Sequence, residues 1–333
     1  MDSAELQQQL FATIKSKIPE HLSMPDEIAK MLEVSVDSVY RRMRGEKVIT
    51  IDELHTLCSH YKISLDQMMN IETGAFLFQG NLLDSKNFRY DAYATGNMHL
   101  MAYFRSFKQT DFYYSCKDLP IFYHFHSREI AAFKYYFWMG TLISFPDFKN
   151  KKVNIDEYPD SIFEIGKKTL DLYYQMDTYE LWTQESLNST LRQVEYYVES
   201  KMFINNKDAL KVYEALQVGM DHLENQADLG YSYKYDDPEK KPMGKFHMYF
   251  NEIVLLDNSM MIIMDGNKMA IVPHTAANYM MTRETAFCEN YYRYTQNLMK
   301  RSTLMSEVNE KERAKFFRQM RDKINGRKNA LKL

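Results

Sequence analysis

Apolar positions recur at helical spacing from the start of the chain. Leu6, Leu10 and Ile14 stand four residues apart, and this spacing predicts an amphipathic helix over residues 4–17. Pro19 then breaks the pattern, since proline disrupts a helix interior. The chain therefore opens with one short helix that has a single apolar face.

A second helix is predicted in the segment SMPDEIAKMLE. Ser23 is a residue type that caps helix N-termini, and Pro25 is tolerated in the first helical turn. Ile28, Met31 and Leu32 lie on one face of this helix. A short amphipathic helix of about two to three turns follows from this pattern.

A third helix follows after only a few residues. Ser35 offers an N-cap, and Val36, Val39 and Met43 recur at positions i, i+3 and i+7. Gly45 stands where a glycine usually ends a helix. The segment from Ser35 to Arg44 is therefore predicted to be a short helix with a polar outer face.

Two more helices are predicted before residue 70. Thr50 and Glu53 have the spacing of a capping box at the start of IDELHTLCSHY. Ser64 then opens the short segment LDQMM. The first seventy residues therefore contain five short helices, and residues 71–87 are predicted to link them to a larger domain over 88–333, because periodicity lapses there and glycine and asparagine cluster.

The larger domain is predicted to be mainly helical. One helix in it, SREIAAFKYYFW, has Ser127 as its N-cap. The predicted helical ranges are about 88–108, 127–138, 159–176, 178–204, 207–227, 282–304 and 307–326.

A small β region is predicted within the same domain. The segments DFYYSC, KFHMYFNEIVLLDN, MMIIMD and NKMAIVPH are rich in strand-forming residues. Asp265 and Gly266 have the sequence of a two-residue hairpin turn. The predicted fold class is therefore mainly α with a small antiparallel β region, an α+β protein.

Composition narrows the protein class. The chain has 333 residues, of which 45% are hydrophobic and 26% charged, as in soluble globular proteins. Its three cysteines are far apart and predict buried thiols in a reducing cytoplasm. The N-terminus lacks the apolar stretch of a signal peptide, and the most apolar segment, residues 135–145, is too short to cross a membrane. We expect a cytoplasmic location and no membrane partner.

The C-terminal segment is basic and amphipathic. Residues 311–333 carry nine Lys and Arg against two Asp and Glu, whereas residues 1–70 carry eight against eleven. Phe316, Phe317, Met320 and Ile324 fall on one face, which predicts a helix that docks on the core with its charge in solvent. The alternatives are a second phosphate contact or a helix on a membrane surface.

Catalytic and metal motifs are sparse. His124 and His126 would share one face of a strand, but no third ligand lies nearby in sequence. His55, Cys58 and His60 fall in the fourth predicted helix, where packing explains them better than zinc. The sequence has no phosphate loop, dinucleotide fingerprint or nucleophile elbow. We therefore expect no enzymatic activity, no cofactor and no metal.

Residues 4–70 resemble the Cro/repressor type (XRE-like) of helix-turn-helix domain. The resemblance rests on EIAKMLEVSVDSVYRRMRG for the two-helix motif and on ITIDELHTLCSHYKISLDQMM for the helices that follow. It implies a five-helix, lambda-repressor-like DNA-binding domain. Two positions depart from the family pattern: Glu33 replaces the usual glycine of the turn, and Arg42 replaces a usually apolar residue.

The resemblance also implies roles for individual residues, because the third helix of this family enters the major groove N-terminus first. The DNA base-contact candidates are Val36, Asp37, Ser38 and Arg41. The DNA phosphate-contact candidates are Tyr40, Arg42, Arg44 and Lys47. Without the resemblance, the arginine run would be interpreted as an ordinary solvated helix face.

The expected function is that of a sequence-specific transcription regulator that binds double-stranded DNA as a homodimer. The larger region would dimerise and sense an effector, because regions of this size joined to DNA-binding heads commonly do so. That expectation leaves open an unidentified small-molecule or peptide effector. The alternative is a non-enzymatic adaptor whose helical head binds a protein partner, since that head is net acidic.

Overall fold

The computed structural model describes residues 2–15, 17–18, 22–61, 63–69, 76–80, 88–252, 257–275 and 278–331. The chain divides into two compact units, Met1–Leu77 and Phe78–Leu333. The division falls within the segment 71–87, where the sequence predicts a linker.

The first unit is helical throughout its regular structure. Its buried apolar side chains, among them Leu10, Ile14, Ile28, Val39, Leu57 and Met68, come from all five helices given below and meet in one core. The helices are α1 (Ser3–Lys15), α2 (Met24–Leu32), α3 (Val36–Met43), α4 (Ile51–Tyr61) and α5 (Leu65–Met68).

The helix starts follow the predicted caps in two of three cases. The Ser35 hydroxyl accepts a hydrogen bond from the Ser38 amide at 3.2 Å. Thr50 and Glu53 form the predicted capping box, with reciprocal side-chain to backbone bonds of 3.1 and 3.2 Å. Ser23 is the N-cap residue of α2, but its side chain makes no capping hydrogen bond.

The turn between α2 and α3 holds a strained residue. Glu33 caps the C-terminus of α2 with φ 54° and ψ 42°, the left-handed region. Side chains with a Cβ atom pay about 1–2 kcal/mol to adopt this conformation. Glu33 stands where the resembled family usually has glycine, and its replacement of glycine therefore carries this cost.

The second unit combines seven longer helices with an eight-stranded sheet in the described residues. Short 3-10 segments lie at Ile121–His126 and Pro146–Phe148, and a π-helical turn continues α7 at Trp138–Leu142. The helices are α6 (Tyr90–Arg105), α7 (Arg128–Phe137), α8 (Asp160–Tyr174), α9 (Asn188–Glu199), α10 (Asn206–Leu229), α11 (Thr285–Lys300) and α12 (Glu310–Ala330). None of the helices in the described ranges is both long and apolar enough to cross a membrane.

The sheet is larger than the sequence predicts, and it is mixed. Its order is β1-β7-β6-β5-β2-β3-β4-β8, and β2, β3 and β4 pair in parallel while the remaining pairs are antiparallel. The strands are β1 (Gln79–Gly80), β2 (Thr110–Cys116), β3 (Asp177–Trp182), β4 (Phe246–Phe250), β5 (Met260–Met264), β6 (Asn267–Thr275), β7 (Asn278–Thr282) and β8 (Thr303–Leu304). The predicted α+β class is confirmed. The prediction of a small antiparallel β region is wrong, because the sheet is large and contains parallel pairs.

The strand β3 corrects the predicted helix over 178–204. Thr178, Glu180 and Trp182 are fully buried on one side of the strand, and Leu181 is buried on the other. Because Thr178 and Glu180 are polar yet lie on the buried side, the sequence lacks the alternation of apolar and polar residues that identifies a half-exposed strand. Only the later part of the predicted range, α9, is helical.

The hairpin between β5 and β6 is confirmed. Asp265 and Gly266 have φ values of 46° and 86°, and two consecutive left-handed residues define the tight turn that asparagine, aspartate and glycine favour. The register pairs Met264 with Asn267 directly across the turn.

The basic helix α12 docks on the core through its apolar face. Its four predicted apolar residues, Phe316, Phe317, Met320 and Ile324, are all buried. Part of its charge is paired rather than solvated, because its cations contact acids of α9 and α10. The pairs are Arg313–Asp228, Arg321 with Asp221 and Glu224, Arg327–Glu195 and Lys328–Glu214.

Candidate nucleic-acid interface

One face of α3 is open to solvent. Val36, Asp37, Tyr40, Arg41 and Arg44 are all exposed, with 36% of Val36 and 44% of Tyr40 accessible. These positions are spaced i, i+1, i+4, i+5 and i+8, so they form one stripe along the helix. Five of the eight residues predicted to contact DNA therefore share a continuous surface.

Arg42 lies on the opposite face of α3. Its side chain is only 2% exposed, and it binds Glu53 through two hydrogen bonds of 3.0 and 2.5 Å. The guanidinium also donates to the Ser38 backbone carbonyl at 3.0 Å. A guanidinium enclosed in this way is directed away from the exposed face of α3, so the structure does not favour the phosphate contact predicted for Arg42.

Ser38 is half-buried, between the two faces of α3. Its hydroxyl accepts a hydrogen bond from the Arg42 guanidinium, and its backbone amide is used by the Ser35 cap. Ser38 is therefore the base-contact candidate whose side chain is half-buried and bonded within α3. Val36, Asp37 and Arg41 are exposed.

The loop after α3 carries the remaining cations together with an acid. Glu46 accepts hydrogen bonds from the Arg44 guanidinium at 2.6 and 3.1 Å and lies 3.8 Å from Arg41. The hydrogen bond from Arg44 lowers the pKa of the Glu46 carboxyl. Lys47 is exposed beside them. Glu46 therefore reduces the positive charge that the two arginines present to an anion.

A glutamine that sequence reasoning missed fixes this loop. The Gln7 side-chain amide donates to the carbonyls of Arg42 and Lys47 at 3.0 Å each, and its oxygen accepts from the Ile49 amide at 2.9 Å. Gln7 is 8% exposed on α1. A polar residue at an otherwise apolar helix position was the available sequence signal for this role.

Gly45 allows the loop to approach α1 closely. Its φ is 79°, and a Cβ atom at this position would stand 2.8 Å from the Cβ of Ala4. Glycine is required for two reasons. A residue with a Cβ atom would be strained at this positive φ, and its Cβ atom would clash with Ala4. Together with Gln7, this contact holds Arg44 and Lys47 in a defined geometry.

The histidines considered as metal ligands do not form a metal site. His124 and His126 lie on the 3-10 segment rather than on a strand, and His126 bonds the Tyr174 hydroxyl at 2.5 Å. His55 and His60 are exposed on α4. Across the described ranges, no cluster of three or more His, Cys, Asp or Glu side chains could hold a metal ion.

The cysteines are free thiols. Cys116 and Cys288 are buried, whereas Cys58 is half-buried on α4. Burial raises the pKa of all three thiols, which disfavours the reactive thiolate.

Comparison of the chain with protein-family models, with curated proteins and with solved structures found no match.

Proposed function

We propose that the protein is a sequence-specific, DNA-binding transcription regulator in which α3 enters the major groove. The observation that carries this proposal is the exposed stripe on α3, with Arg42 turned inward. The buried Arg42–Glu53 ion pair fixes the rotation of α3, so Arg41 and Asp37 face outward together. A short capped helix held in one rotation is what base recognition in a groove requires.

The chemistry of the stripe suits base edges. The Arg41 guanidinium matches the O6 and N7 acceptors of guanine, the Asp37 carboxylate can accept from a cytosine amine, and Val36 can contact a thymine methyl group. Tyr40, Arg44 and Lys47 would contact phosphates and set register without reading sequence. The cations are few, so one copy binds weakly and the regulator acts as a homodimer in the cytoplasm.

The domain in this proposal is the lambda-repressor-like five-helix type that the sequence resembles. Five helices in the described part of residues 1–77, with three residues between α2 and α3, support it. A two-fold dimer would place two α3 helices one DNA turn apart, roughly 34 Å, and would select a pseudo-palindromic operator.

The test is selection of bound sequences from random duplexes, followed by affinity measurements on the selected duplex at fixed salt. We expect Arg41→Ala to weaken binding by about 1–3 kcal/mol and to relax preference at one base position. Arg192→Ala is the matched control, because Arg192 is an exposed arginine of the second unit. Failure to enrich any sequence, or equal affinity of Arg41→Ala and the unaltered protein, would contradict the proposal.

A second candidate function is a protein-interaction head. Val48 and Ile51, which follow α3 in the chain, are 66% and 84% exposed, and Val36 and Tyr40 on α3 are exposed as well. Affinity that rests on apolar contact with a protein would change little with added salt. Affinity that rests on phosphate contacts falls linearly when its logarithm is plotted against the logarithm of the salt concentration. The salt dependence of binding therefore separates the two functions.

A further inference from the structure

A cavity of about 780 Å³ lies within the second unit, between α6 and the sheet. The lining side chains are predominantly apolar and come from α6, the 3-10 segment, and strands β5, β6 and β7. Phe88, Tyr93, Phe122, Met101 and Met260 are representative of them. This volume falls within the range of about 300–1,000 Å³ that binds small organic ligands.

A smaller inner chamber of about 30 Å³ adjoins this cavity. The two share Tyr93, Asn97, Ile121 and Phe122 as lining residues. A chamber of this size accommodates roughly one water-sized group, such as a hydroxyl. The inner chamber therefore admits only a small terminal group and excludes a ring.

A buried histidine lines the inner chamber. His124 is 6% exposed, and its Nε2 atom has no hydrogen-bond partner among the described residues. The other ring nitrogen, Nδ1, is engaged in a hydrogen bond with the Leu119 backbone. A neutral ring that donates its proton from Nδ1 has Nε2 as its unprotonated acceptor. Burial lowers the pKa of His124 well below its ordinary value, and the nearby Lys134 cation lowers it further, so the ring is neutral.

The charges near the outer cavity are already balanced. Arg89 lines the outer cavity, but it forms an ion pair with Asp91 at 2.6 Å. A charged ligand would therefore meet no unpaired ion of opposite sign among the lining side chains. An uncharged molecule with an apolar body fits this surface.

We propose that this cavity binds an uncharged, mainly apolar small molecule whose terminal hydroxyl enters the inner chamber and donates a hydrogen bond to Nε2 of His124. The apolar body lies against α6 and the sheet. The site would serve as the effector site of the proposed regulator, but every residue in it belongs to the second unit. Its existence is therefore independent of whether the first unit binds DNA.

The probes for this proposal are n-octanol and its isomer methyl heptyl ether, titrated into the full chain by calorimetry. The two contain the same atoms, but only the alcohol can donate a hydrogen bond. We expect the alcohol to bind roughly tenfold more tightly, as one buried hydrogen bond to an otherwise unpaired acceptor allows. In His124→Phe, which keeps a ring but lacks the acceptor, this preference should fall to about one.

A second variant tests the cavity without touching His124. The α6 residues that line it recur every three or four positions, with Gly96 in the middle, and a Cβ atom there would meet nothing within 4 Å. Gly96→Leu should therefore place a side chain against the cavity and weaken both probes, without destabilising the fold, because leucine favours helix over glycine. Gly326→Leu is the matched control, since Gly326 lies in α12 with equally open surroundings.

Each outcome decides the proposal. A preference for the alcohol that disappears in His124→Phe, with weaker binding of both probes in Gly96→Leu and unchanged binding in Gly326→Leu, supports it. Equal affinity for alcohol and ether in the unaltered protein would overturn it, because His124 would then not recognise the ligand. Absence of binding by either probe would overturn it as well. Neither result depends on DNA, so failure here is distinguishable from failure of the proposed regulator function.

Discussion

The guanidinium of Arg42 and the carboxylate of Glu53 form a bidentate ion pair that joins α3 to α4 inside the first unit. The same carboxylate accepts the capping hydrogen bond from the Thr50 amide. Hydrogen bonding to Arg42, and then to the Thr50 backbone, lowers the pKa of Glu53 despite its partial burial. One acid therefore both starts α4 and fixes the rotation of α3.

Removing Arg42 should destabilise the first unit. Arg42→Ala leaves Glu53 partly buried without its partner, and breaking such a pair costs about 3 kcal/mol when the remaining charge keeps some solvent contact. Urea denaturation followed by circular dichroism measures this loss. Loss of DNA binding in this variant would then reflect unfolding rather than a lost phosphate contact.

A double variant separates these two explanations. Arg42→Met with Glu53→Gln removes both charges and keeps a side-chain acceptor for the capping box. We expect it to recover most of the lost stability and to bind the selected duplex within about threefold of the unaltered protein. A stable double variant that no longer binds DNA would contradict this expectation and show that binding needs the Arg42–Glu53 pair itself, beyond its contribution to stability.

Glu46 should restrain DNA affinity. Its carboxylate holds Arg44 and lies near Arg41, so Glu46→Gln releases both guanidiniums toward phosphate. We expect DNA binding to strengthen by roughly threefold or more at low salt. The slope of log affinity against log salt concentration should steepen by about one, as for one more phosphate contact. Glu239→Gln, an exposed acid paired with Lys241 in the second unit, should change neither quantity. Weaker binding by Glu46→Gln would mean that its ion pairs orient the arginines productively.

The strained Glu33 gives a prediction about stability alone. Glu33→Gly keeps the left-handed conformation and removes its steric cost, but it also adds backbone entropy to the unfolded chain. The free energy of unfolding should therefore rise by about 0.5–1 kcal/mol. Glu33→Ala is the control, because it removes the charge and keeps the Cβ atom. Denaturation midpoints for the two variants should therefore differ. Equal stabilisation by alanine would assign the effect to charge instead.

Periodicity was sufficient for the helices of the first unit because each buries one face and exposes the other. It failed at β3, because polar Thr178 and Glu180 occupy the buried side of the strand and mask the alternation of apolar and polar residues. Arginine runs also usually lie in solvent, so the inward position of Arg42 was not predicted from residue type. The sequence signal was that Arg42 stands at a position that is usually apolar in the family that the sequence resembles.

A buried carboxyl in the second unit adds a pH-dependent element. Glu180 on β3 is fully buried, and it accepts hydrogen bonds from the Tyr123 and Tyr173 hydroxyls and, at 2.8 Å, from the Trp182 indole. Burial raises its pKa to about 7, although the three hydrogen bonds act in the opposite direction. Buried His126 and His222 nearby have lowered pKa values, also through burial.

Glu180 should make the second unit less stable as pH rises from about 4.5 to about 7. In that window the folded protein holds the Glu180 proton while the unfolded chain releases it, so raising pH favours unfolding by about 3 kcal/mol in total. His126 and His222 affect stability in the opposite direction. Their pKa values are lowered in the folded protein, so as pH falls the unfolded chain takes up their protons first and unfolding is favoured. Glu180→Gln isolates the carboxyl: the variant's stability relative to the unaltered protein should improve by about 3 kcal/mol between about pH 4.5 and pH 8. A relative stability that stays constant across this range in urea denaturation would show that Glu180 titrates alike in both states.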